Sequence, residues 1–217
     1  MILALLVFLK TPSKADSIPE IVAKTKPAIV EITTNAMGAP KALGTGFFIS
    51  PDELVVTNQD VIQGTNSITS VSNNGAIFFF ERVVAQPAGV DLVVLKFHAT
   101  DVPFLKLGKS RTAIERQKVI VIGKPTGLMG TVSDGFISAF REDRSMIQIS
   151  APISHGSSGS LVMDETGQVF GIATLGRAEG QNLNFAIPVE RVLSPPLMES
   201  PRRHCWFKLR ATGINTG

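Results

Sequence analysis

A single cysteine, Cys205, excludes an internal disulfide framework and a cysteine-rich zinc site from the 217-residue sequence. Charge is modest at 18%, and 44% of residues are hydrophobic, so low-complexity disorder is excluded for most of the chain. No apolar run approaches the roughly 20 residues a helix needs to cross a bilayer, so no stable membrane span is expected. No Gly-x-x-x-x-Gly-Lys-Ser/Thr loop occurs, since Gly123-Lys124 is followed by Pro125. No repeat of 20–50 residues is evident. The net charge of +3 hides its distribution. Six of the 21 basic residues lie in segments 1–15 and 201–217, which contain no acid. The other 15 face 18 acidic residues, a net of −3 for the body. A basic stripe for nucleic acid is therefore absent, and no nucleic-acid partner is expected.

The ends differ from the body. Residues 2–9, Ile-Leu-Ala-Leu-Leu-Val-Phe-Leu, suit the apolar core of a secretory signal, and Ser13-Lys14-Ala15 supplies the small residues a signal peptidase reads. No basic residue precedes the run, so residues 1–15 read as a truncated signal peptide of an exported, periplasmic or extracellular protein. The competing reading is a first strand or helix of the core. Pro195, Pro196 and Pro201 break regular structure, and 195–217 read as a basic, disordered tail. His204-Cys205 has no further ligand types beside it, and no metal is expected there.

Between the ends, short apolar runs recur. They include Ile29–Thr33, Gly46–Ile49, Leu54–Thr57, Ala76–Phe80, Leu92–Phe97, Val119–Ile122, Met146–Ile149, Leu161–Met163, Val169–Ala173 and Asn184–Pro188. Most are rich in Val, Ile, Phe or Thr and bounded by turn formers. The spacing predicts an all-β barrel or sandwich. Helical periodicity is confined to Ile18–Lys26 and Val189–Leu193.

The segment that carries chemistry is His155-Gly156-Ser157-Ser158-Gly159-Ser160. Gly-x-Ser-Gly holds a serine in a tight turn, and the backbone N–H groups of Gly156 and Ser158 can converge on one point. An oxyanion there is stabilised without side-chain reorganisation. By itself such a motif is also an ordinary turn.

Four ordered stretches give it context. They are Gly44-Thr45-Gly46-Phe47-Phe48-Ile49-Ser50, Leu54-Val55-Val56-Thr57-Asn58-Gln59-Asp60-Val61-Ile62, Asp91-Leu92-Val93-Val94-Leu95-Lys96 and Ala151–Ser160. Together they resemble the trypsin-like serine proteases of the HtrA/Deg type, and residues 123–138 and 171–189 share the likeness. The resemblance implies two six-stranded antiparallel β-barrels, over 18–105 and 106–194, with a cleft between them. It implies a serine endopeptidase that hydrolyses peptide bonds through an acyl-enzyme and needs no cofactor or metal. Its substrate would be a peptide or unfolded protein.

Residue by residue, Ser158 falls on the family's nucleophile and Asp91 on the acid that orients the base. The N–H groups of Gly156 and Ser158 form the oxyanion hole. Thr174, Leu175 and Gly176 fall on the strand that pairs with substrate backbone. Pro152 and Ile153 fall near the floor of the specificity pocket, and the lack of charge there implies a small or aliphatic residue before the cut. His155 falls at the pocket mouth, as a solvent-facing or substrate-contacting residue and a poor candidate for a substitute base. His98 is expected on a surface loop.

The departure is at the base. The family's pattern is Thr-Asn-x-His-Val, and this chain has Thr57-Asn58-Gln59-Asp60-Val61. A histidine with a pKa of about 6.5 takes and returns a proton near neutral pH; a carboxylate with a reference pKa of about 3.9 does neither well. Two adjacent carboxylates also repel, and burial with like charge raises the pKa of one. In subtilisin, losing the histidine alone costs about 10⁶ in turnover. The sequence thus predicts an impaired endopeptidase, with a peptide-binding pseudoprotease as the alternative.

Overall fold

The computed structural model describes residues 16–36, 39–124, 130–154, 156–175 and 183–192, with the side chains of 36, 39–42 and 175 outside that description. The expected signal, the tail, His155 and Gly176 therefore lie outside the described residues. Two closed antiparallel barrels of six strands each make up the fold. The first contains β1 (Ile29–Ala36), β2 (Ala39–Phe48), β3 (Leu54–Thr57), β4 (Ser67–Ser72), β5 (Ile77–Ala85) and β6 (Val93–His98), in the order β1-β2-β3-β6-β5-β4. The second contains β7 (Lys118–Gly123), β8 (Thr131–Arg141), β9 (Met146–Ile149), β10 (Leu161–Met163), β11 (Val169–Leu175) and β12 (Asn184–Pro188), in the order β10-β11-β12-β9-β8-β7. Among the described residues no helix is long and apolar enough to cross a membrane.

Several strands read as unbroken apolar runs because both faces are buried. Successive side chains point to opposite faces. Phe48 and Val55 enter the core of the first barrel while their neighbours Phe47 and Val56 face the second. Val119 and Val121 fill the second barrel while Ile120 and Ile122 face the first. The layer between the barrels thus joins Phe47, Val56 and Leu92 to Ile120, Leu161 and Met163. Each such side chain contributes roughly 1.5–3 kcal/mol by leaving water.

The expected helical segment Ile18–Lys26 forms as α1 (Ile18–Thr25), whereas Val189–Leu193 shows a single 3₁₀ turn over Val189–Arg191, with Leu193 outside the described residues. A short helix α2 (Gln59–Ile62) and a 3₁₀ turn over Ser110–Thr112 carried no periodic signal. The strands β4 and β8 were absent from the apolar runs. The buried positions at the end of β4 are serines, Ser70 and Ser72, and among the eleven residues of β8 Ile137 alone is fully buried. His98 ends β6 as an exposed strand residue rather than lying in a loop.

Candidate active site

The barrels meet where three segments converge: α2, the residues just before β6, and the turn between β9 and β10. Asn58 precedes α2, so Asp60 lies in its first turn with its backbone N–H still available. That N–H donates to Asp91 Oδ1 at 3.0 Å. The other carboxylate oxygen, Oδ2, accepts the Thr174 hydroxyl at 2.9 Å from β11 of the second barrel. Asp91 is thereby held from both barrels.

The Asp60 carboxyl has a raised pKa. Partial burial is the main cause, the neighbouring Asp91 carboxylate adds to it, and a hydrogen bond from the Val61 N–H opposes both. These are the two influences that the adjacency of carboxylates in the sequence suggested. Neither Asp60 nor Asp91 forms an ion pair among the described residues.

The turn around Ser158 is built on left-handed glycines, with φ of 87° at Gly156 and 83° at Gly159. Ser157 N–H donates to Ser154 O at 2.9 Å, and Ser160 N–H to Ser157 O at 2.9 Å. Gly159 N–H is shared between Ala173 O at 3.0 Å and Asn58 Oδ1 at 2.5 Å. Among the described residues the N–H groups of Gly156 and Ser158 donate to nothing, so the turn presents two unspent donors. Such donors can stabilise an oxyanion. Ser158 is 6% exposed, and its Oγ makes no hydrogen bond among the described residues.

Strand β11 pairs with β12 through Thr174↔Phe185 and Leu175↔Asn184. Its other edge pairs with β10 as far as Ile172, and Ala173 N–H then reaches Ser160 O at 2.7 Å. Beyond Ala173 that edge has no ladder partner among the described residues. The Thr174 hydroxyl is committed to Asp91, which leaves the backbone of Thr174 and Leu175 for pairing. Pro152 and Ile153 line a cavity of about 180 Å³. Its other walls are Ser154, Ser157, Ser160 and strands β7 and β8, and no residue of β11 lines it. Among the described residues no group of three or more His, Cys, Asp or Glu could hold a metal ion.

Three residues take supporting roles that the sequence motifs containing them did not assign. Thr45 and Asn58 are fully buried polar residues that bond to the nucleophile turn, and Thr174 supplies a hydroxyl instead of pure backbone. The flanking glycines of Gly44-Thr45-Gly46 were the available hint.

The family model described as "Trypsin-like peptidase domain" matches residues 44–172. The chain belongs to this family. It is 33% identical over 161 residues to the serine endoprotease DegS of Haemophilus influenzae, covering 68% of this chain and 47% of DegS. The fold aligns with the crystal structure of the serine endoprotease from Yersinia pestis at a TM-score of 0.73 and 30% identity, over 85% of this chain and 65% of that one. It aligns with the HtrA-type protease AlgW, in a structure with a tripeptide, at a TM-score of 0.71 and 28% identity, over 80% and 60% of the two chains. Within the trypsin-like peptidases the chain is of the HtrA/Deg type, and it spans 40–47% of the length of the curated relatives it matches.

Proposed function

We propose that this domain is a serine endopeptidase site whose hydrolysis of peptide bonds is crippled at one position, Asp60. Ser158 is the nucleophile, Asp91 the orienting acid, and the N–H groups of Gly156 and Ser158 the oxyanion hole. Asp60 occupies the place of the base. The bonding of Asp91 carries this reading. Its carboxylate already accepts the N–H of residue 60 and the Thr174 hydroxyl, an arrangement poised to orient a base at that position. The two unspent N–H groups of the turn support it further.

Asp60 itself is a poor base. Its pKa is raised by burial and by Asp91, but a carboxyl group, with a reference value of about 3.9 and a shorter reach than imidazole, is a poor match for taking the serine proton and returning it to the leaving amine. The loss of the histidine is worth about 10⁶ in turnover, or roughly 8 kcal/mol of transition-state stabilisation. The edge of β11 beyond Ala173, which has no ladder partner among the described residues, supports a second reading, a pseudoprotease that binds extended peptide by strand addition without cutting it. Substrates are peptides or unfolded proteins in both readings. The apolar run 2–9 with Ser13 and Ala15 supports export to the periplasm or cell exterior.

The test is cleavage of an unfolded protein over a day by the chain, by Asp60→His, and by Ser158→Ala as blank. The expected result is cleavage by Asp60→His at least about 10³ times faster than by the chain, rising with pH through about 6.5 as the new imidazole deprotonates. Cleavage by the unaltered chain far above the blank would overturn the assignment of Asp60 as a failed base. Peptide binding that persists in Ser158→Ala, with no cleavage by Asp60→His, would favour the pseudoprotease.

A further inference from the structure

The oxyanion turn belongs to the second barrel and is bonded within it, Gly159 N–H to Ala173 O and Ser160 N–H to Ser157 O, but further bonds reach it from the first barrel. Thr45, on β2, is fully buried and uses every polar atom. Its N–H donates to Ser158 O at 2.8 Å and its hydroxyl to Gly156 O at 3.0 Å. The hydroxyl also accepts the Lys124 N–H at 2.9 Å, and the Thr45 carbonyl accepts the Thr57 hydroxyl at 2.7 Å. Asn58, also fully buried, donates from Nδ2 to Asp91 O at 2.6 Å and accepts the Gly159 N–H on Oδ1.

We propose that Thr45 and Asn58 are positioning residues that impose the oxyanion geometry of Gly156–Gly159 from across the barrel interface. The reason lies in the peptide planes. The Ser158 carbonyl and the Gly159 N–H belong to one plane, and it is gripped at both ends, by Thr45 and by Asn58. The Gly156 carbonyl belongs to the plane on the other side of Ser157, and the Thr45 hydroxyl holds it. Between the two lies the plane that carries the Ser158 N–H, the donor that must point at the oxyanion. Its own carbonyl, Ser157 O, accepts the Ser160 N–H at 2.9 Å, and with the planes on either side held from the first barrel its Ser158 N–H is left for the oxyanion. Asn58 adds a second link, because the same amide ties the turn to the backbone of Asp91 and stands two residues before Asp60. One side chain thus sets the spacing between the acid, the base position and the nucleophile.

The inference rests on the oxyanion role proposed above, and its test separates the two. In the Asp60→His background, Thr45→Val, Thr45→Ser and Asn58→Ala are compared for reaction of Ser158 with a peptidyl phosphonate. Amide hydrogen exchange is followed in the same proteins. A positioning role predicts that Thr45→Val and Asn58→Ala slow the chemical step about tenfold or more while initial affinity stays within about twofold. Thr45→Ser, which keeps the hydroxyl, returns the rate to within about threefold of the parent. Exchange at Gly159 and Ser160 quickens while Val119–Ile122 keep their protection. Thr45→Val reacting at the parent rate, or losing protection uniformly in every strand, would overturn the proposal. If the Asp60→His parent fails to react, the assigned function falls. The positioning role then stands or falls on the exchange at Gly159 and Ser160 alone.

Discussion

At position 60, where the proposed reading puts the base, the chain carries a carboxyl. Beside it Asp91 is fixed from both barrels. The stability consequence can be worked out by sign. A carboxyl whose folded pKa lies above its unfolded value binds more protons in the native state between the two values. Stability therefore falls as pH rises through that window. Asp60 thus costs the fold some stability at neutral pH and nothing in acid. Asp60→Asn should raise Tm at pH 7, with the difference closing below about pH 4, where the unfolded carboxyl is also protonated. Thermal melts of both proteins across pH check this. An equal difference at every pH would locate the effect in packing rather than charge.

At the scale of the element, the turn between β9 and β10 is the least forgiving. Gly159 has φ of 83°, and a Cβ there would stand 1.9 Å from the Thr45 carbonyl oxygen and 2.5 Å from Thr57 Oγ1. Both neighbours are themselves bonded, so neither can yield cheaply. Gly159→Ala should cost about 3 kcal/mol or more in a denaturant titration and abolish phosphonate reaction in the Asp60→His background. The same scale explains which elements could be seen in the sequence. Strands β3, β6, β7 and β11 bury both faces and read as apolar runs, while β1 alternates buried Val30, Ile32 and Thr34 with half-buried Glu31 and Thr33. By contrast β4 places serines inward, and β8 winds along the second barrel with a bulge between Ile137 and Ala139. Polar or irregular strands of this kind have no period-2 signature to detect. The one-turn helix α2 is too short to show a period at all.

Over the whole molecule the apolar layer between the barrels governs cooperativity. Phe47 and Val56 from one barrel and Ile120, Leu161 and Met163 from the other form one cluster, with no aqueous seam between two separate cores. The barrels should therefore unfold in one transition. Phe47→Ala should cost about 3–5 kcal/mol and lower amide protection in β7 and β11 as well as in β2. Two resolved transitions, or loss of protection confined to the first barrel, would contradict this coupling.

The candidate site was legible in the sequence to the extent that chemistry is local. Gly156-Ser157-Ser158-Gly159 announced a turn able to hold an oxyanion. Thr57-Asn58 and Val61 fix the register on both sides of Asp60, and so pointed to the position at which the resemblance expects a histidine. Alternation and turn spacing likewise determined an all-β chain. What the tertiary structure alone decided is how these pieces are held together. Asp91 is gripped by a hydroxyl 83 residues away, and the oxyanion turn by Thr45 and Asn58, more than a hundred residues before it. A buried polar residue leaves no mark on hydropathy periodicity, and its partner is set by how two closed barrels pack. The amino-acid sequence therefore determined which groups the site contains, and the packing of the barrels decided which of them meet.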